Sequence, residues 1–197
     1  MFRTLSVLCV TCALIAPVAS ANDPLQLTLN GAWDKRTLPG SDGKDYSAEK
    51  LWDDRTKGLV IIVTRNTCPI AEKYEERLAD LAKLFSEKQV RFVALNVDNG
   101  PGEGIEFMKA KKLPYPYLHH PTKEVAKAVG AKTTPEVALF YRDSKGQLVL
   151  EYQGAIDSDP TGKTIKEHYL LDALTALSEG KEVSVPRTTA RGCSIRY

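Results

Sequence analysis

Hydrophobic positions along the chain follow two rhythms. Residues 58–64, GLVIIVT, form an unbroken apolar and β-branched run, as expected of a central strand covered on both faces. Residues 90–98, VRFVALNVD, predict a second buried strand. Between them Ile70, Tyr74, Leu78, Leu81 and Phe85 recur at three- and four-residue spacing, with Glu72, Lys73, Glu75, Glu76 and Arg77 opposite. That spacing predicts an amphipathic helix, and Pro69 suits its first turn.

Further on, IEFMKAKK (105–112) predicts a short helix, and the prolines of PYPYL (114–118) favour extended backbone. TKEVAKAVG (122–130) reads as a helix ended by Gly130. A strand at about 136–142, a turn at DSKG (143–146) and a strand at 147–154 form a hairpin. Residues 163–179 predict a last helix, with Ile165, Tyr169, Leu170, Leu174 and Leu177 on one side. Before the first core strand, residues 25–56 carry Gly-rich turns and a small strand pair; after Gly180 the tail to Tyr197 has no period. Strand–helix alternation followed by a hairpin and a helix predicts an α/β sandwich with a mixed sheet.

The N-terminus changes the setting. Arg3, an apolar run from about Leu5 to Val18, and Ala19-Ser20-Ala21 read as a cleaved export signal over residues 1–21. The run is too short for a membrane span of roughly 20 residues, no other segment is apolar enough to span, and neither Cys9 nor Cys12 sits in a lipobox. Residues 22–180 then make one domain, and 181–197 a C-terminal tail. The 27 Lys and Arg less Arg3, against 25 Asp and Glu, leave a formal net charge of +1 with the signs mixed, so nothing points to nucleic acid.

Cleavage also removes two of the four cysteines and leaves Cys68 and Cys193. In an exporting compartment an even pair is a candidate disulfide. Cys68 opens the amphipathic helix, where unsatisfied amides and the helix dipole favour a thiolate. The alternative is a buried inert cysteine. The expected partner three residues on is absent, because Ala71 stands there. A bond to Cys193 would close a loop of 125 residues. As a permanent bridge it would stabilise by roughly 4–5 kcal/mol in the chain-entropy picture; as a redox pair it would contribute less. Gly192 would allow the tail to approach closely.

The apolar strand, NTCP opening a helix, GAKTTPEVALF, the DSKGQLV hairpin and the closing helix together resemble a thioredoxin-fold protein. They look most like the exported redoxins related to AhpC/TSA peroxiredoxins and TlpA-like thiol-disulfide proteins. LPGSDGKDYSAEKLWDDRTKGLVIIV resembles that group's N-terminal extension, and GCSIRY a C-terminal signature of some secreted members. The resemblance covers roughly residues 25–180. It implies a thioredoxin-like three-layer sandwich and a thiol-dependent oxidoreductase or antioxidant protein with Cys68 as its reacting thiol, Cys193 as the resolving thiol and no cofactor. It also implies that Pro135 forms a cis bond beside Cys68, and that Pro69, Thr134 and Pro135 position the substrate. A protein or small-molecule disulfide, or a peroxide, would be the substrate, and an external thiol the reductant.

Two departures matter. Ala71 rules out local dithiol exchange. Ile61 and Arg65 stand where a peroxiredoxin carries the proline and threonine of P-x-x-x-T-x-x-C. A non-enzymatic binding or metal-delivery module, with Cys68–Cys193 as a structural bridge, is the alternative reading. His119 and His120 are read as solvated loop residues rather than metal ligands. The glycines of GPGEG resemble a phosphate loop without its Lys-Ser/Thr, and the segment is given no role.

Overall fold

The structure is a computed structural model and describes Trp33 and residues 37–144 and 148–197. The expected export signal and part of the 143–146 turn lie outside the described residues. A two-stranded antiparallel pair, β1 (Leu38–Pro39) and β2 (Asp45–Tyr46), leads into a short helix α1 (Ala48–Leu51). The core follows as β3 (Gly58–Thr64), α2 (Pro69–Ser86), β4 (Val90–Asn96), α3 (Ile105–Met108), β5 (Tyr117–His119), α4 (Glu124–Ala128), β6 (Thr133–Thr134), β7 (Glu136–Arg142), β8 (Leu148–Gly154) and α5 (Tyr169–Ser178). A two-residue strand β9 (Cys193–Ser194) closes the chain.

The main sheet has the order β5-β4-β3-β7-β8. β4 runs parallel to both β3 and β5, while β7 runs antiparallel to β3 and β8. This is the expected mixed sheet of a thioredoxin-like fold. β3 lies at its centre, so the unbroken apolar run is needed on both faces. Alternate residues divide between two cores. Val60 and Ile62 join Tyr74, Leu78 and Phe85 of α2 and Leu170 and Leu174 of α5. Leu59, Ile61 and Val63 join Trp52, Trp33 and Val125 and Ala126 of α4.

Two expectations need correction. The last helix starts at Tyr169, six residues later than the expected start at 163. Local side-chain bonds compete with helix there. The Asp159 carboxylate accepts the Thr161 and Thr164 amides, and the Ser158 hydroxyl accepts those of Lys166 and Glu167. His120 is not a solvated residue but is buried, and its Nε2 accepts the Val125 amide at 3.0 Å. It thereby satisfies one of the free donors at the start of α4. Among the described residues no helix is long and apolar enough to cross a membrane.

Candidate active site

β3 ends at Thr64, and the chain turns through Arg65, Asn66 and Thr67 before α2. Cys68 is the residue that begins the helix. It has extended backbone (φ −84°, ψ 111°), its carbonyl accepts the Glu72 amide at 3.1 Å, and Pro69 follows in the first turn, where its missing N–H leaves no bond unmade.

The turn is held by a residue that the sequence did not single out. Glu103, in the GPGEG loop, is 1% exposed. Its carboxylate accepts the Asn66 amide at 2.7 Å, the Thr67 amide at 3.0 Å and the Thr67 hydroxyl. Arg65 Nε lies 3.4 Å from Glu103 and 3.0 Å from Asp98. Asn66 and Asn96 return the support by donating to the Gly102 and Glu103 carbonyls. The Gly-rich loop therefore fixes the approach to Cys68 and is not inert. A lone Glu among glycines carries no periodic signal that could have shown this.

The Thr134–Pro135 bond is cis, and the Thr134 carbonyl lies 3.0 Å from Cys68 Sγ. Glu136 steadies this loop, its Oε2 accepting the Lys132 and Thr133 amides at 2.8 and 3.2 Å. Cys68, Pro69, Thr134 and Pro135 are thus brought to one place from two distant segments.

The tail completes the arrangement. The Pro186 carbonyl accepts the Gln153 amide, and the Thr188 amide donates to the Gln153 carbonyl, each at 3.0 Å. The Thr188 hydroxyl accepts the Ala155 amide at 2.9 Å. β9 then pairs antiparallel with β6, with Cys193 opposite Thr134. Ile195 donates to the Lys132 carbonyl at 2.9 Å, Lys123 Nζ to the Arg196 carbonyl at 2.6 Å, and the Tyr197 hydroxyl to Ala131. The close approach requires glycine at 192, since a Cβ there would lie 2.0 Å from the Thr134 oxygen. Cys193 Sγ comes to 2.6 Å from Cys68 Sγ. A tail without period in sequence is therefore an ordered strap.

The two thiols have opposite electrostatics. Burial pushes Cys68 up, but the Cys193 side chain, Thr134 and the Ala71 and Cys193 backbones favour its thiolate, and its pKa falls below the ordinary thiol value. Burial, the hydrogen bond to Cys68 and repulsion by its charge push Cys193 up to about 11, with Arg65 acting in the other direction. A negative charge on the pair therefore resides on Cys68. Burial lowers the His119 pKa, partly offset by the Glu103 charge. Among the described residues no group of three His, Cys, Asp or Glu could hold a metal ion.

The chain is similar to several proteins of known structure. It is 33% identical to an uncharacterized conserved protein from Geobacillus kaustophilus, over 82% of this chain and 87% of that one, with a TM-score of 0.72. A hypothetical protein from Sinorhizobium meliloti 1021 is 27% identical over 82% of this chain and 90% of its own, with a TM-score of 0.71. A secreted Mycobacterium tuberculosis disulfide oxidoreductase shares the fold at 13% identity and a TM-score of 0.51, over 79% of this chain and 99% of that one. No curated protein matches the chain. The sequence profile of the Redoxin family matches residues 18–166, three quarters of the chain, and the protein belongs to that family.

Proposed function

We propose that the protein is an exported thiol-disulfide oxidoreductase of the redoxin type, working through a Cys68–Cys193 couple. The observation that carries this is the 2.6 Å separation of the two sulfurs across the β6–β9 pairing. A disulfide needs about 2.05 Å, and two sulfurs this close support a bond between them. The asymmetric electrostatics support the same reading, because one thiol is poised as a thiolate and its neighbour as a proton holder. Thr134 meets both cysteines, Cys68 through its carbonyl and Cys193 through the strand pairing, and Pro69 opens the helix that carries Cys68. Thiols and disulfides are the proposed substrates. Peroxide is the less favoured oxidant, since Ile61 and Arg65 replace the residues that would bind it. Export rests on residues 1–21, and residues 181–197 are assigned to the couple as its second half.

The competing reading is a permanent bridge in a non-enzymatic module, favoured by the many tail bonds that do not involve sulfur. Titration of the protein in glutathione buffers, with free thiols counted by mass, separates the two. A reversible two-electron transition in the range of the glutathione pool is expected. A midpoint below about −300 mV, where structural disulfides lie, returns the pair to a bridge. Two thiols that stay free under oxidant remove the couple altogether. Consumption of hydrogen peroxide in the presence of a thiol tests the peroxide arm.

A further inference from the structure

When the pair is bonded, an external thiol faces two sulfurs that the fold presents differently. Cys68 is 2% exposed, enclosed by the start of α2, the Thr134 carbonyl and the tail itself. Cys193 lies on the outer strand and is partly exposed. Displacement at sulfur proceeds in line with the breaking bond, from the side opposite the departing sulfur, and its rate depends on access to that side. Cys68, at 2% exposure, leaves an attacking thiolate almost no approach, whereas Cys193 keeps part of its surface open.

The strap also closes the other route. An extended partner segment adds a strand to a free sheet edge, but the edge of β6 is already occupied by Cys193 and Ser194. The bonds that hold the strap, from Pro186 and Thr188 to Gln153 and from Ile195 to Lys132, pass through no sulfur. Breaking the disulfide therefore does not release the tail, and Cys68 stays covered in both redox states.

We propose that external thiols exchange with this protein at Cys193, and that Cys68 is an internal sulfur that never bonds to a partner. The inference rests on the reading of the two cysteines as a redox couple. In the first step a partner thiolate attacks Cys193 Sγ. The partner–Cys193 bond forms, the Cys68–Cys193 bond breaks, and the electron pair leaves on Cys68 Sγ. In the second step another partner thiolate, from a second small thiol or the same dithiol protein, attacks the partner's sulfur in the mixed disulfide. Cys193 departs and takes a proton. Two partner thiols are oxidised to one disulfide, and the protein's disulfide is reduced to two thiols. Leaving-group chemistry acts in the same direction as access. The sulfur of lower pKa leaves faster, and that sulfur is Cys68.

The test uses the oxidised full chain with limiting reduced glutathione, acid quenching and peptide mapping. Glutathione is expected on Cys193, in about tenfold or greater excess over Cys68. In native conditions the Cys193 thiol of Cys68→Ser should take glutathione from its disulfide faster than the Cys68 thiol of Cys193→Ser, and the two rates should converge in denaturant. Glutathione found mainly on Cys68 overturns this proposal and leaves the couple intact. A wild-type protein that forms no disulfide overturns both. The wild-type mapping needs no variant to fold.

Discussion

Replacing Gly192 with alanine tests whether the tail's fit, rather than its mere presence, sets the redox chemistry. A Cβ at this position meets the Thr134 oxygen at 2.0 Å, the Thr134 carbon at 2.7 Å and the Pro135 nitrogen at 3.3 Å. Carbon and carbonyl oxygen approach comfortably to about 3.4 Å, so something must yield by roughly 1.4 Å. The Thr134 side is backbone pinned by the Glu136 carboxylate, so the strap is the part that moves, and Cys193 with it. Overpacking of this kind costs about 1–3 kcal/mol. In the dithiol the strap, held by hydrogen bonds alone, can shift locally to relieve the clash without detaching, whereas the bonded form cannot, so the cost falls on the disulfide. At about 30 mV per 1.4 kcal/mol for two electrons, the potential should rise by about 20–60 mV. Because the clash is at Cβ, valine should act much as alanine does. Ser194→Ala, an exposed change on the same strand, should leave the potential where it is. The assay is the glutathione titration. A Gly192→Ala potential equal to that of the wild type would refute the claim that β9 must seat this closely.

Glu103→Ala should destabilise the protein by about 3 kcal/mol, because several donors, Arg65 among them, lose a buried acceptor at once; urea unfolding measures it, and a loss under 1 kcal/mol counts against the anchoring role. The potential should fall by about 59 mV per pH unit below the Cys68 pKa and about 30 mV per unit from there to the Cys193 pKa of about 11. The break between the slopes should lie below the pH at which an unperturbed thiol titrates; a break above it contradicts the thiolate assignment. In the reduced protein the depressed Cys68 pKa contributes stability above the unfolded thiol pKa that is lost as pH falls through its folded value. The raised Cys193 pKa contributes stability below the unfolded value that is lost as pH rises toward about 11. Thr134→Val removes one group that favours the Cys68 thiolate, so thiolate absorbance should appear at higher pH than in the wild type.

The central strands and the long helix after β3 are legible in the chain alone. The run 58–64 is apolar at every turn of the pleat because β3 is covered on both faces, and the spacing from Ile70 to Phe85 fits α2 because one face of it is buried. Cys68 before Pro69 is likewise a local feature, since helix starts are fixed by the few residues around them. What is local in the chain is legible in the chain. The start of the last helix is not legible in the chain, because Ser158 and Asp159 hold residues 161–167 by side-chain bonds that leave no mark on periodicity. His120 and Glu103 went unrecognised for a related reason, as each works by filling the unmet hydrogen bonds of a segment brought alongside by folding. The two cysteines outside the expected export signal made a pairing of Cys68 with Cys193 thinkable, and Gly192 hinted at a close approach. How that approach is made depends on contacts that form in the folded molecule. Two residues of strand pairing, a handful of backbone bonds from residues 186–197 and one missing Cβ carry an aperiodic tail back to the helix start. Those contacts lie between segments far apart in sequence, so no window of the chain contains them, and they exist only once the sheet has placed β6 and β8 beneath the strap.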